Sequence, residues 1–82
     1  MPLRHLFELI IFWESPSTRH SISSVEEAAE WLLFWWPEEH QKDQEQVTAR
    51  KACLAALEGG NSAEAARSAF VMAAERAGMT VH

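Results

Sequence analysis

At 82 residues with 48% hydrophobic positions the chain has material for one domain with a thin core, and its single cysteine, Cys53, excludes an internal disulfide and points to a reducing compartment, the cytoplasm. Twelve acidic against seven basic residues give a net charge of -5, and the basic ones are scattered, which argues against duplex nucleic acid or an anionic membrane as a partner. No apolar run approaches the ~18 residues that a membrane-spanning helix needs.

The opening stretch MPLRHLFELIIFW carries a basic residue, Arg4, ahead of an apolar run, but Glu8 interrupts the run and no small-residue cleavage site follows, so a signal peptide is not expected. LFELIIFW, residues 6–13, is rich in β-branched and aromatic side chains and too short for an ordinary helix, and it predicts a strand. SPST reads as a turn, and RHSI, residues 19–22, as a second strand returning antiparallel, since so short a connection suits a hairpin.

Ser24 stands three residues before Glu27, a capping-box spacing, and Glu26 and Glu27 place negative charge where the helix dipole favours it. A helix over about 24–36 follows, stopped by Pro37. After the polar stretch EEHQKDQEQ a second helix spans about 42–58, with Ala49, Ala52, Cys53, Ala56 and Leu57 on one stripe and Gly59-Gly60 at its end. Asn61 or Ser62 caps a third helix over about 62–77, whose stripe of Ala66, Ala69, Phe70, Ala73, Ala74 and Ala77 is mostly methyl groups. Gly78 suits a left-handed C-terminal cap, and residues 79–81 are a candidate edge strand. The expected architecture is α+β, with an N-terminal antiparallel hairpin packed on three helices, in a single domain over residues 1–82.

Three patterns stand together: Trp36-Pro37 closing the first helix, Cys53 followed by Ala56-Leu57 and Gly59 closing the second, and Ala66-Arg67 with Ala69-Phe70 in the third. In that order and spacing the chain resembles the small bacterial family catalogued as domain of unknown function 982, found largely in rhizobia and their relatives. The likeness covers nearly the whole chain and implies a compact α+β domain, with no activity attached. In that family polar residues are usual where this chain has Phe34 and Trp35, and a glycine is usual after the Trp-Pro pair. This chain departs there, continuing EEHQKD, so the surface of its first helix is expected to differ from that of its relatives.

No catalytic or metal constellation emerges from the residues. Cys53 lies on an apolar stripe, where a thiol behaves as a small hydrophobe with a raised pKa. His5, His20, His40 and His82 include no i, i+4 pair and no accompanying cysteine pair, and no cofactor is expected. Glu26, Glu27, Glu30, Glu38 and Glu39 read as a solvated acidic face. The one candidate ligand site joins Gly60, Asn61 and Ser62, whose backbone N–H groups start a helix, to Arg67, which would reach back to help hold an anion. Against it stands a structural role for Arg67, bonding carbonyls or a carboxylate.

EEAAEWLLFWWPEE, residues 26–39, crowds aromatic side chains into a turn and a half of helix. At about 100° per residue, Val25, Ala29, Leu32 and Trp36 share the core face, with Ala28, Leu33 and Trp35 at its edges. Phe34 points nearly opposite, and Trp31 well off the stripe. The strand adds to the surplus: Phe7, Leu9, Ile11 and Trp13 make one apolar face and Leu6, Ile10 and Phe12 the other, where a half-exposed strand should alternate more cleanly. Either the sheet is covered on both sides within one chain, or Ile10, Phe12, Trp31 and Phe34 form a contact surface on the order of 600 Å². The second alternative predicts a non-enzymatic protein-interaction domain acting as a homodimer, with a further unidentified protein as a possible partner; a small-ligand or anion-binding domain is the alternative.

Overall fold

The computed structural model describes residues 5–82, and Arg4 of the N-terminal stretch lies outside them. Strand β1 (Leu6–Ser15) and strand β2 (Thr18–Ser24) form the expected hairpin, each longer than the residue pattern predicts. The turn contracts to Pro16-Ser17 because Ser15 pairs with Thr18, its hydroxyl donating to Thr18 Oγ1 at 2.9 Å. Strand β3 (Thr80–Val81) pairs antiparallel with the free edge of β1, giving the order β2-β1-β3 and leaving β1 central. The His82 N–H extends that edge by donating to the Ile11 carbonyl at 2.8 Å.

The period of two in β1 turns Ile10 and Phe12 to the same side as Ile22 of β2, and all three are buried. Leu9, Ile11 and Trp13 alternate to the other side, where Leu9 is exposed and Ile11 and Trp13 are half-buried. The hairpin is therefore covered on one face by the helices and only partly on the other.

Ser24 ends β2 and caps helix α1 (Val25–Glu30): its Oγ accepts the Glu27 N–H at 3.2 Å and donates to Glu27 Oε1 at 3.1 Å. The same carboxylate oxygen accepts the Ser23 N–H at 3.0 Å, so the Glu27 side chain reaches back as the capping-box spacing predicts, but bonds the backbone one residue ahead of the cap. Beyond Glu30 the expected α-helix does not continue. Trp31–Trp35 form a π-helical turn, and Trp36 is already extended at φ -71, ψ 141, the geometry that Pro37 requires of the residue before it.

A 3-10 turn at Glu38–His40 leads to helix α2 (Gln44–Leu57), and helix α3 (Ala63–Arg76) follows, capped by Ser62, whose Oγ accepts the Ala65 N–H at 3.1 Å. Gly59 and Gly78 both take φ +84, and each ends its helix with a paired hydrogen-bond cap. At the first, the Gly60 N–H donates to the Ala55 carbonyl at 2.8 Å; at the second, the Met79 N–H donates to the Ala74 carbonyl at 2.9 Å. Ala49, Cys53 and Ala56 of α2 and Ala66, Ala73 and Ala74 of α3 are buried. With so little beyond a methyl group on each, the two helices pack against one another closely. Phe70 fills the space between α3 and the sheet, edge-on to Phe12 and to Trp36 with centroids 5.5 Å away in each case.

Candidate interaction surface

The π-helical turn decides where the aromatic side chains face. At roughly 4.4 residues per turn each residue advances by about 80° instead of 100°, so positions after Trp31 lag behind the α-helical phase. Leu32 and Trp36, four apart, both stay on the core face and are buried. Trp35, placed at the edge of the core by the α-helical phase, is carried outward and is 60% exposed. Phe34 points into solvent as expected, at 72% exposure, and Leu33 beside it is 56% exposed.

Three of the expected surface residues do not belong there. Ile10 and Phe12 are both 0% exposed, because the helices settle on their face of the hairpin and not on that of Leu9, Ile11 and Trp13. Trp31 is half-buried: it meets Phe12 edge-on at 5.1 Å and an interplanar angle of 84°, and lies 4.4 Å from the His20 ring, closing the core over the hairpin. Of the four side chains proposed for the contact surface, Phe34 is the one the structure leaves in water.

A groove of about 380 Å³ opens between α1 with its π-helical extension and α2. Leu33 forms one wall, and Val47, Leu54 and Leu57 line the α2 side. Two cations, Arg50 and Lys51, also line it, and among the described residues neither has a carboxylate partner. Arg50 is held in place from below, donating its Nε to Gln46 Oε1 at 2.8 Å. Sequence periodicity alone does not assemble this groove. Its one visible sign is Leu54, a large apolar residue next to Cys53 but off the buried stripe, and it is 59% exposed.

The residues proposed for an anion site are engaged with one another and with the sheet. Asn61 Oδ1 accepts the Ser62 N–H at 2.9 Å, and Ser62 caps its own helix. Gly60 donates its N–H into the C-terminal cap of α2. Arg67 donates its Nε to the Glu8 carbonyl at 2.9 Å across 59 positions of sequence, fastening α3 to β1, with Nη1 4.0 Å from Glu64. That is the structural role that stood against the ligand site.

Cys53 is buried, and loss of solvent pushes its thiol up to about 11. At Glu26 burial raises the pKa, but hydrogen bonds from His5 and from the Glu26 backbone, with the charge interaction with His5, together outweigh it and hold the carboxyl below its usual range: the His5 N–H donates to Oε1 at 3.0 Å and Nδ1 lies 2.8 Å from Oε2. Among the described residues no group of three or more His, Cys, Asp or Glu side chains is disposed to hold a metal ion, and no helix is long and apolar enough to cross a membrane.

A family profile described as "Protein of unknown function (DUF982)" matches residues 9–81. The chain belongs to that family. The three patterns that carry the resemblance all lie within the matched span of this DUF982 protein, and each is structural here: Trp36 packs on Phe70, Cys53 and Ala56 are buried in the core, and Arg67 ties α3 to the sheet. No curated protein and no solved structure matches the chain.

Proposed function

We propose that this DUF982 protein is a non-enzymatic contact domain of the cytoplasm that pairs first with a second copy of itself, through the surface formed by Leu33, Phe34 and Trp35 with Leu54 across the groove. The observation that carries this reading is the exposure of Phe34 and Trp35, at 72% and 60%, side by side in the π-helical turn that continues the Ser24-capped helix α1. Taking 150–250 Å² for an aromatic side chain, the two leave roughly 250 Å² of ring in water before the leucines are added. Apolar patches of a few hundred Å² on a monomer are often functional. A thiol held un-ionised in the core offers no nucleophile, which supports the non-enzymatic part of the reading.

Sedimentation equilibrium across the micromolar range tests it. The wild-type protein is expected to sediment as a dimer, and Phe34→Glu to dissociate it while leaving the helical circular dichroism unchanged, because a carboxylate would be desolvated at the contact. A wild-type monomer at tens of micromolar overturns the homodimer. A Phe34→Glu variant that remains a dimer moves the contact to the half-covered sheet face of Leu9, Ile11 and Trp13.

A further inference from the structure

Self-association leaves open how the two copies meet, and, resting on that reading, we infer that each copy's Phe34-Trp35 edge enters the other's groove, with Glu38 and Glu39 of one copy set against Arg50 and Lys51 of its partner. Knob and hole lie on adjoining positions of the chain: Leu33 is a wall of the groove, and the next two residues are the exposed aromatics. A two-fold axis therefore lets one pairing fill both grooves at once, as an isologous contact requires. A head-to-tail contact would leave one knob and one groove open at every end and propagate.

The charges match the same arrangement. Glu38 and Glu39 follow the aromatic edge directly after Pro37, are exposed, and have no cation partner among the described residues. Arg50 and Lys51, equally unpaired, line the groove that the neighbouring copy's edge would enter. In a chain of net charge -5 an apolar groove carrying two cations with no carboxylate partner among the described residues favours an occupant whose apolar tip is followed by acids, and residues 33–39 of this chain have that order. The aromatic edge covers only part of the ~800 Å² per partner typical of a specific interface, and these four charged side chains supply a polar rim to the remainder.

Two charge-reversed proteins test the pairing: E38K/E39K, and R50E/K51E. Each alone sets like charges against like across both halves of the symmetric contact, and its dimer dissociation constant is expected to rise by roughly tenfold or more. Mixed in equal amounts they restore opposite charges at both halves, so a heterodimer with near wild-type affinity is expected, read by sedimentation with one partner fluorescently labelled. Because Arg50 also bonds Gln46, K51E alone replaces the double variant if R50E/K51E loses helical signal. A wild-type monomer would overturn both the self-association and this pairing. A wild-type dimer whose affinity ignores the reversals, or variants that weaken but fail to recover on mixing, would overturn the pairing while leaving the homodimer standing.

Discussion

Gln46 on α2 donates its Nε2 to the carbonyl of Leu32 at 2.8 Å, fully buried, and so supplies a partner to backbone in the π-helical turn. A buried carbonyl without a donor costs about 1–3 kcal/mol. Gln46→Leu, similar in bulk but unable to donate, is therefore expected to lower the melting temperature, by roughly 4–8 °C for each kcal/mol lost in a domain of this size. It also releases Arg50 from its anchor. An unchanged melt would show that the turn does not depend on this bond.

For Cys53, a thiol reagent should label the folded protein slowly and the unfolded protein fast. Since the folded thiol is raised to about 11 from 9.0, the unfolded chain ionises first as pH climbs. The fold thus keeps this contribution below pH 9 and loses it progressively between 9 and 11. Cys53→Ala should cost only about 1 kcal/mol as a small core truncation, and should remove that alkaline slope. Rapid labelling under native conditions would contradict the burial.

Glu26 titrates in the opposite sense. Its carboxyl is held below 4.5, so the His5 contact stabilises the fold above that pH and fades as pH falls through the lowered value. With the pair more than a third exposed the effect is small, below about 1 kcal/mol, and Glu26→Gln should flatten only the acid limb of the stability profile. A variant with the wild-type acid limb would remove His5 and Glu26 from the account.

Arg67→Ala is expected to destabilise the protein by about 1–2 kcal/mol, the loss of a charged donor to a backbone carbonyl, and Arg67→Lys to recover little, since an ammonium lacks the planar Nε donor used here. Phosphate should shift the melting temperature of neither the wild type nor the Arg67→Ala variant. A bound anion at ~100-fold excess over its dissociation constant would add about 2.7 kcal/mol, and such a rise confined to the wild type would restore the anion site.

What was legible in the sequence was what depends on near neighbours. The Ser24-Glu27 box, the two glycine caps and the methyl stripes of α2 and α3 each need only a few residues to specify them, and each is found where its spacing places it. Ile10 and Phe12 lie in the core and not on the expected surface, because a strand apolar on both faces does not say which face the helices will choose. Trp35 faces outward and not the core edge that the α-helical phase gives it, because a single π turn shifts the phase of everything after it, and the Gln46 that supports that turn lies 14 positions beyond Leu32. Phe34 is in water as expected, because either phase points it outward. The groove needed two helices at once, and no one-dimensional period describes it.

Trp35 should report the self-contact directly. Of the four tryptophans, Trp36 is buried and Trp13 and Trp31 are half-buried, so the red-most emission, and the emission most easily quenched by acrylamide, should belong to Trp35 at 60% exposure. Pairing through residues 33–35 moves that ring out of water. Emission should therefore shift to the blue as protein concentration rises through the dimer dissociation constant, and in Trp35→Phe, which keeps the patch apolar, the shift should vanish while the dimer persists. A dimer by sedimentation with no spectral change would take Trp35 out of the contact. If the shift disappeared instead in Trp13→Phe, whose ring lies on the half-covered side of β1, the interface would be the sheet and the groove would stay open.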